Sequence, residues 1–549
     1  MSSPWLKTGT VTGSGSTRSG LISRLHARGN PPGLLGLPVL PQPPTDAEKE
    51  RYADRNTALL TRASLFSFGA LVISQLRFVN TLWLLLAIFG PMLFFTILYY
   101  LVSLCVNFST RGFDMDAHRV LVAWWRPRVY PSLDVFLPVC GEHPDVLRNT
   151  WVHVREMTRH YPGQAVAYVL DDGASPDVAA MATEFGFTYV VRPSRGWYKK
   201  AGNLRYAFSR SAGDFILILD ADFAPRADLP AEMLPYFYAD PGLGIVQSPQ
   251  YFRTHPGQSW MERGAAAVQE LFYRLVQVSR DQHDGAVCVG SCAIYRRQAL
   301  EVNGGPALIE QSEGVHTGFE LRRLGWGLRY IPIPLATGLC PPDPDSFLSQ
   351  QYRWCSGSMS LLASRKFWST RMRWRTRFCY LSGFCYYMHT AVFTLVAPAI
   401  PLVLLIFMPD RVRLINYALI APSIIYNVVV FPAWHRCRFG PSGYMAKALY
   451  GWAHLFCLWD ICRGRLIRWQ SAGDGNRKAG TRRIWLAVAA WNVPACCAWV
   501  VLSLVRMAQR GVAGYAFILL AGLFASVVTA MVLASRRNYV RTAVREITG

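Results

Sequence analysis

The sequence predicts a Rossmann-like α/β domain inserted into an α-helical, polytopic membrane domain. Two observations lead to this prediction. Long uncharged apolar segments occur before residue 112 and after residue 386, whereas the block between them alternates short apolar runs with helical patterns. Such alternation is typical of a mostly parallel sheet covered by helices. The chain has 549 residues, 52% of them hydrophobic, and a formal net charge of +23, which is typical of a membrane protein with basic cytosolic segments.

Both ends of the chain are basic and polar. Residues 1–58 are rich in Ser, Gly, Pro and Arg and show no sustained apolar periodicity, which predicts a disordered cytosolic tail. No apolar core of a cleavable signal peptide lies near the N-terminus. Residues 536–549 predict a short basic tail that is also cytosolic.

Six segments predict membrane spans. Residues 59–111 contain two of them, and the first, between Arg62 and Arg77, is shorter than the roughly 20 residues that a span requires. The topology depends on this segment crossing the membrane. Residues 387–535 contain the remaining spans, at about 387–408, 414–434, 484–505 and 515–534, and an amphipathic interface helix at 442–469.

The distribution of arginine sets the predicted orientation. Arginines cluster in the tails and in two of the later connections, so the positive-inside rule places both termini and the central domain, residues 112–345, in the cytosol. Residues 346–386 predict further helices at the interface of the lipid bilayer. We expect a multi-pass protein of the plasma membrane. Nucleic acid is not expected as a partner, because the basic residues flank spans rather than alternating with aromatic residues on one face.

Acidic residues follow two of the predicted strands in the central domain. The segments LDVFLPV, AVAYVLDDG, GFTYVV and DFILILDAD predict strands, and HPDVLRNTWVHVREMTRHY predicts a helix. Asp171 and Asp172 follow one strand, and Asp220 and Asp222 end another. Ligands of parallel sheets collect at the carboxyl ends of the strands, so these carboxylates are expected at one edge. Clustered carboxylates require a compensating cation.

A nucleotide diphosphate with a divalent metal ion would account for this acidic edge. Mg²⁺ or Mn²⁺ takes oxygen ligands and typically binds one or two carboxylates together with substrate phosphates. Lys200 in KKAGN would offer a positive charge to the diphosphate, and Gly202 allows close approach of the backbone. An isolated DDG is also common turn chemistry, but two acidic strand ends in one domain favour a site.

An ordered set of motifs carries a family resemblance. They are LPVCGE, LDDG, KAGN, DAD, VQSPQYF, GSCAIYRR, SEGVHTGFELRRLGW and QQYRW. In this order they resemble the processive family 2 glycosyltransferases, in particular the bacterial cellulose synthase catalytic subunit and related β-glucan synthases such as the curdlan synthases. The resemblance covers about residues 60 to 510. It implies a GT-A domain that takes a UDP-sugar donor, adds the sugar with inversion to a growing polysaccharide acceptor, and passes the polymer through the membrane helices.

The resemblance also implies roles for residues near the donor. Asp171 and Asp172 would hold the uridine, and Lys200 would meet the diphosphate. Asp220 and Asp222 would hold the nucleotide and the metal ion, with Asp222 counted among the catalytic residues.

On the interface helix, the resemblance implies that Gln350, Arg353 and Trp354 contact the substrate. Arg353 would donate to the departing diphosphate, and Trp354 offers a flat face to the acceptor sugar. The same QQYRW segment is equally compatible with ordinary amphipathic packing.

The triplet that should contain the general base departs from the family pattern. The family's base is the Asp of a Thr-Glu-Asp triplet, which here is Ser312-Glu313-Gly314, and glycine cannot accept a proton. One hypothesis is that Glu313 replaces the base through a small shift of the helix start, with His316 a poorer candidate. The rival hypothesis is a chain that is slow or inactive in transfer. Glu313 is also explained as a negative charge in the first turn of a helix, where the helix dipole favours it.

Two further departures favour a β-glucan synthase outside the main cellulose group, with UDP-glucose as donor. The gating Phe-x-Val-Thr loop of cellulose synthases is replaced by RWQSAGDGN at 468–476, and CSGSMS at 355–360 differs from the usual residues after RW. Alternatives are a synthase of hyaluronan, chitin or mannan, a single-addition transferase, and a catalytically decayed exporter subunit. An accessory export subunit is left open as a partner.

Overall fold

The computed structural model describes residues 40–53, 57–80, 83–108, 112–466 and 477–548. Its central domain contains nine strands: β1 Leu133–Val139, β2 Ala165–Asp171, β3 Thr188–Val190, β4 Phe215–Ile218, β5 Ala224–Pro225, β6 Leu243–Gln247, β7 Ala293–Arg296, β8 Gly327–Tyr330 and β9 Ala336–Thr337. Seven of them form one sheet in the order β3-β2-β1-β4-β7-β6-β8, and β5 pairs with β9. The four strands predicted from sequence are confirmed.

The large sheet is mixed. Strands β3, β2, β1 and β4 run parallel, and β6 runs parallel to β8, whereas β7 is antiparallel to both of its neighbours. Side chains of β1 alternate between the two faces, because Val135 and Leu137 pack in one apolar core and Phe136 packs in the other. Such a strand is apolar on both faces, as LDVFLPV is except at Asp134, whose buried carboxylate pairs with Arg297 at 3.0 Å.

Helices cover both faces of the sheet. The predicted helix Pro144–His160 begins with proline and buries one stripe that includes Leu147, Trp151 and Val154 against the sheet. The other helices of this domain are Met115–Trp124, Pro176–Phe185, Lys199–Phe208, Leu229–Ala239, Trp260–Leu271, Gln277–Asp281, Arg297–Val302 and Glu313–Arg323, with a π-helix at Phe272–Val276.

Five helices in the described part of the chain are long and apolar enough to cross a membrane. They are Thr57–Phe78, Phe89–Val106, Trp374–Phe407, Gly480–Arg510 and Ala516–Arg536. The segment predicted at 414–434 differs, because it is divided into Leu414–Leu419, Ala421–Ile425, Tyr426–Val430 and Phe431–Trp434. Its apolar helical part, Ala421–Trp434, measures about 21 Å at 1.5 Å per residue. That is shorter than the ~30 Å hydrocarbon core, so a continuous sixth span is not observed.

The helices around the predicted interface segments have boundaries that differ from the sequence prediction. Membrane-side helices occur at Thr57–Val79, Trp83–Val106, Pro344–Leu362, Arg365–Ser369, Trp374–Val396, Ala399–Phe407, Pro441–Cys462, Arg477–Arg510 and Ala516–Thr548, with a 3₁₀ turn at Pro409–Arg411. The range 346–386 therefore already contains the start of a long apolar helix at Trp374. The last helix extends into the range predicted as a tail.

The prediction of a disordered tail over 1–58 is corrected for its final part. A helix at Asp46–Ala53 packs on the central domain, where the carboxylate of Glu48 accepts bonds from Arg253 at 2.6 and 2.8 Å. The ring of Tyr52 is 7% exposed and lies in the core beneath the sheet. The buried ring of Tyr52 and the ion pair between Glu48 and Arg253 together offset the conformational entropy that is lost when this segment becomes ordered. The earlier part of the tail lies outside the described residues.

Candidate functional site

The DDG turn after β2 places two carboxylates in different surroundings. Asp171 is 1% exposed, and its oxygens accept bonds from the backbone N–H groups of Gly173 at 2.7 Å and Ser175 at 2.8 Å and from the Tyr189 hydroxyl at 2.9 Å. The side chain of Asp171 therefore stabilises the turn that follows it. The neighbouring Asp172 makes a two-bond ion pair with Arg192, with both N···O distances at 2.6 Å.

Arg192 also fixes the loop that leads to Lys200. Its guanidinium donates to the carbonyl oxygens of Trp197 at 2.5 Å and Lys199 at 2.9 Å. A Cβ on Gly202 would lie 2.1 Å from the Trp197 carbonyl oxygen and 2.2 Å from a guanidinium nitrogen of Arg192. Only glycine fits there, so the KAGN motif permits the close packing that delivers Lys200 to the edge of the sheet. Arg192 was not among the residues predicted from sequence.

Lys200 joins three segments at the carboxyl end of the sheet. Its Nζ lies 2.5 Å from an oxygen of Asp220, 3.0 Å from the carbonyl oxygen of Gly290 and 3.3 Å from an oxygen of Glu313. Burial by itself lowers the pKa of Lys200, but the two carboxylates outweigh burial and hold it above its ordinary value. The ammonium is therefore a fixed positive charge between the DAD loop and the helix that begins at Glu313.

Asp222 and Glu142 leave this edge with excess negative charge. Burial, together with the charge of Asp220, raises the pKa of Asp222 to about 7. Burial also raises the pKa of Glu142, and nearby Asp220 and Asp171 add to the effect. Glu142 lies in the LPVCGE motif just after β1 and accepts the Cys140 N–H at 2.6 Å. The motif was recognised in the sequence, but Glu142 was not singled out as a site residue.

The donor set at this edge fits a hard divalent cation that also binds phosphate. Within the described ranges, no group of three or more His, Cys, Asp or Glu side chains that could hold a metal ion is found. No basic side chain of the described residues forms an ion pair with Asp222, whereas Lys200 pairs with Asp220. One or two carboxylates suffice for Mg²⁺ or Mn²⁺ when phosphate oxygens and water complete the coordination. The residues therefore fit a metal that arrives with a nucleotide.

Backbone packing explains why residue 314 is glycine. A Cβ on Gly314 would lie 2.4 Å from the backbone nitrogen of Gly290 and 2.6 Å from its Cα. Gly290 has φ +80°, and a Cβ there would lie 2.8 Å from an oxygen of Glu313. The two glycines thus let two backbone segments touch directly. An aspartate cannot occupy position 314 without displacing this backbone, and the carboxylate of Glu313 lies beside Lys200.

His316 is engaged with the neighbouring interface helix. Its Nε2 lies 3.2 Å from the carbonyl oxygen of Gly357 and 3.1 Å from the Ser360 hydroxyl. Burial lowers the pKa of His316. A Cβ on Gly357 would lie 2.1 Å from the hydroxyl oxygen of Ser312. His316 therefore links the helix Glu313–Arg323 to the helix Pro344–Leu362. This contact does not involve Lys200.

Three residues of the QQYRW motif, Gln350, Arg353 and Trp354, share one face of the helix Pro344–Leu362. Gln350, Arg353, Trp354 and Gly357 are spaced i, i+3, i+4 and i+7, and through Gly357 this face contacts the start of the helix that carries Glu313. The side chains of Arg353 and Trp354 are half-buried. The buried Oε1 of Gln350 accepts no hydrogen bond from the described residues. The motif thus borders the site and retains a buried acceptor.

Buried polar contacts hold the same helix to two neighbouring helices, Pro441–Cys462 and Arg477–Arg510. Asp345 accepts bonds from Thr481 at 2.6 Å and from the indole of Trp485 at 2.7 Å. Asp460 accepts the hydroxyl of Tyr352 at 2.7 Å and a guanidinium N–H of Arg483 at 2.7 Å. These contacts join Pro344–Leu362 to both of those helices. The segment predicted to replace the gating loop of cellulose synthases, residues 468–476 with Trp469, lies outside the described residues.

A family comparison agrees with this arrangement. The family described as "Glycosyltransferase like family 2" matches residues 129–357. This segment is a glycosyltransferase family 2 domain. All of the site residues predicted from the sequence lie inside the matched range. Together with the mixed sheet, its surrounding helices and five apolar helices of the described residues, the match confirms the predicted GT-A-type domain, which is joined to helices long and apolar enough to cross a membrane.

Similar proteins include bacterial cellulose synthases. Cellulose synthase 1 of Komagataeibacter xylinus is 35% identical over 239 residues, which is 43% of this chain and 15% of that protein. A cellulose synthase 1 catalytic subunit, UDP-forming, of the same organism is 33% identical over 238 residues, 43% of this chain and 32% of that protein. The aligned part thus spans less than a third of either relative.

Among solved structures, a mannosyltransferase from Pyrobaculum calidifontis in complex with GDP-Man and Mn²⁺ is similar. It has a TM-score of 0.45 and 16% sequence identity, and the match covers 68% of this chain and 99% of that chain.

Proposed function

We propose that the chain is a membrane-embedded, inverting glycosyltransferase that polymerises a UDP-sugar, with UDP-glucose and a β-glucan product favoured. The observation that carries the proposal is the position of Lys200. It joins the DAD loop, the loop at Gly290 and the Glu313 helix at a single point. A donor diphosphate, an acceptor hydroxyl and a base all have to meet within a few ångströms for transfer.

The donor would bind across the carboxyl end of the sheet. In this proposal the DDG turn, fixed by Arg192, holds the uridine, and Lys200 supplies positive charge to the diphosphate. Asp222, with Asp220, would hold Mg²⁺ or Mn²⁺. A bound divalent cation would neutralise charge that develops on the departing diphosphate. Arg353, on the face of the interface helix that borders the site, would donate to the same group.

Glu313 is the proposed general base. Its carboxylate would take the proton from the acceptor hydroxyl while that oxygen bonds to the anomeric carbon and the bond from the sugar to UDP breaks. The carboxylate of Glu313 lies 3.3 Å from the ammonium of Lys200, at the point where the donor diphosphate is proposed to bind. The contact between Gly314 and Gly290 supports this assignment, because it excludes an aspartate from position 314 and brings the preceding residue, Glu313, to the site.

The acceptor would lie against the QQYRW face and leave between membrane helices. The flat ring of Trp354 suits a sugar ring, and the buried Oε1 of Gln350 suits a sugar hydroxyl. Three helices, Trp83–Val106, Trp374–Val396 and Pro441–Cys462, share a cluster of aromatic rings with polar edges. Within it, Tyr99 stacks on His389 with 5.2 Å between ring centroids, and Tyr450 stacks on His454 at 5.4 Å. Such rings offer both stacking faces and hydrogen-bond partners to a polysaccharide.

The proposed orientation places the transferase domain in the cytosol, where UDP-sugars are made, with the polymer leaving through the plasma membrane. The basic segments next to the membrane helices support this orientation through the positive-inside rule.

Incubation of purified membranes containing the chain with labelled UDP-glucose and Mg²⁺ or Mn²⁺ tests the function. We expect labelled polymer that a β-glucan-specific enzyme digests, and release of UDP. If polymer forms only from another UDP-sugar, that UDP-sugar is the donor in place of UDP-glucose. Absence of UDP release with every UDP-sugar, in a chain that remains folded, would favour the decayed exporter subunit and contradict the proposal.

A further inference from the structure

A short basic segment links the QQYRW helix to a membrane helix. We call residues 368–377, WSTRMRWRTR, the arginine–tryptophan junction. It begins with the last two residues of the short helix Arg365–Ser369 and includes the first turn of Trp374–Val396, which is part of the candidate membrane span Trp374–Phe407. Its two tryptophans, Trp368 and Trp374, are 52% and 56% exposed. Large exposed aromatic rings next to a span are typical of the membrane–water boundary.

The arginines of the junction have no acidic partner among the described residues. Arginines occur at 371, 373, 375 and 377, and among the described residues none of the four forms an ion pair with a carboxylate. Nearby Lys366, by contrast, is paired with Glu320 at 2.8 Å. The helix that begins at Trp374 has no side-chain cap, so its first N–H groups add to the positive potential.

A cavity of about 380 Å³ lies within the junction, lined by Trp368, Arg371, Met372, Trp374 and Arg377 among others. The Trp368 indole N–H donates to the Leu362 carbonyl at 2.8 Å, which fixes the position of the Trp368 ring at the edge of the cavity. Arg377 donates one N–H to the Thr370 carbonyl at 2.6 Å, and its buried Nε has no hydrogen-bond partner among the described residues. The cavity therefore combines aromatic walls, two guanidinium groups and an unmet donor.

We propose that this cavity binds the phosphate of an anionic phospholipid headgroup. Guanidinium groups match phosphate oxygens with paired N–H donors, and basic segments beside a span attract anionic lipids. The cavity is within the size range of small-molecule sites. The exposed indoles and the adjacent apolar helix indicate a lipid rather than a free phosphate, because a lipid alone would also occupy the apolar side of the boundary.

Native mass spectrometry of the full chain in detergent, with equal amounts of phosphatidylglycerol and phosphatidylcholine, tests the site. We expect selective retention of one phosphatidylglycerol. Arg371→Gln should weaken this retention about fivefold, and Arg371→Gln/Arg377→Gln about 25-fold, because each basic residue near an anionic lipid contributes ~1 kcal/mol. The control Arg159→Gln/Arg210→Gln removes the same charge from exposed positions of the sheet domain and should leave retention unchanged.

Arg371→Gln alone keeps the test valid if the double variant fails to fold, because Arg371 is exposed and forms no ion pair with the described residues. Equal retention of the two lipids, or unchanged phosphatidylglycerol retention in Arg371→Gln, would overturn the proposal. Displacement of the lipid by an equal concentration of glycerol phosphate would overturn the lipid assignment in favour of a free phosphate ester. No sugar nucleotide is present, so the outcome is independent of the proposed transferase activity.

Discussion

Replacing Asp222 with asparagine should change how the stability of the chain depends on pH. Burial and the charge of Asp220 raise the pKa of Asp222 from 3.8 to about 7. The folded chain therefore binds this proton more tightly than the unfolded chain, so stability falls as the pH rises from about 4 to about 7. The full effect is about 4 kcal/mol at 1.36 kcal/mol per tenfold change. Asp222 is partly in contact with solvent, which screens this effect, and we expect about 2 kcal/mol.

The assay is thermal unfolding of the purified chain between about pH 4 and pH 8, without nucleotide or divalent cation. For a domain of this size, about 2 kcal/mol corresponds to about 4–8 °C in unfolding temperature. The difference in unfolding temperature between Asp222→Asn and the native chain should therefore grow by 4–8 °C, in favour of the variant, between about pH 4 and pH 8. Asp177→Asn, at an exposed position in a helix first turn, is the matched control and should follow the native profile. Parallel profiles for the native chain and Asp222→Asn would refute the reasoning.

Three further substitutions test the packing around the site. Gly314→Ala should lower the free energy of unfolding by about 1–3 kcal/mol because its Cβ meets the Gly290 backbone, although alanine normally favours a helix. Thermal unfolding measures this change, and a stabilised variant would contradict the prediction. Arg192→Gln leaves the carboxylate of Asp172 buried without its partner, so it should lower the free energy of unfolding by about 3–5 kcal/mol and weaken UDP binding. Unchanged UDP affinity would count against the assigned role of the DDG turn. Tyr52→Ala should cost about 3 kcal/mol and expose the N-terminal segment to limited proteolysis, and protection equal to that of the native chain would be the contrary result.

The strands and their acidic ends were predictable because their signals are local. Each of the four predicted strands is a short apolar run, and Asp171 ends β2 in the register that pairs it with Val139. The N-terminal helix also has a local sequence signal. Thr45 and Glu48 form the reciprocal contacts of a capping box, with the Glu48 N–H donating to the Thr45 hydroxyl at 3.2 Å.

The surroundings of the site were not predictable, because they depend on contacts between distant segments. The role of Gly314 follows from the approach of the Gly290 backbone, which no pattern within SEGVHTGF encodes. Arg192 gains its role from Asp172 on the preceding strand end and from carbonyl groups of a later loop. Membrane helices had strong local signals, but the 414–434 segment is interrupted by a π-helix at Tyr426–Val430, which apolar composition alone does not indicate.

In the proposed mechanism Glu313 takes the acceptor proton while Lys200 and its neighbours hold the UDP-sugar. The direct test compares UDP affinity and UDP release from UDP-glucose in the native chain and in Glu313→Gln. We expect UDP release to fall by at least about 100-fold, while UDP affinity stays equal or rises because Lys200 loses a competing carboxylate. Full turnover in Glu313→Gln would contradict the assignment of Glu313 as the base.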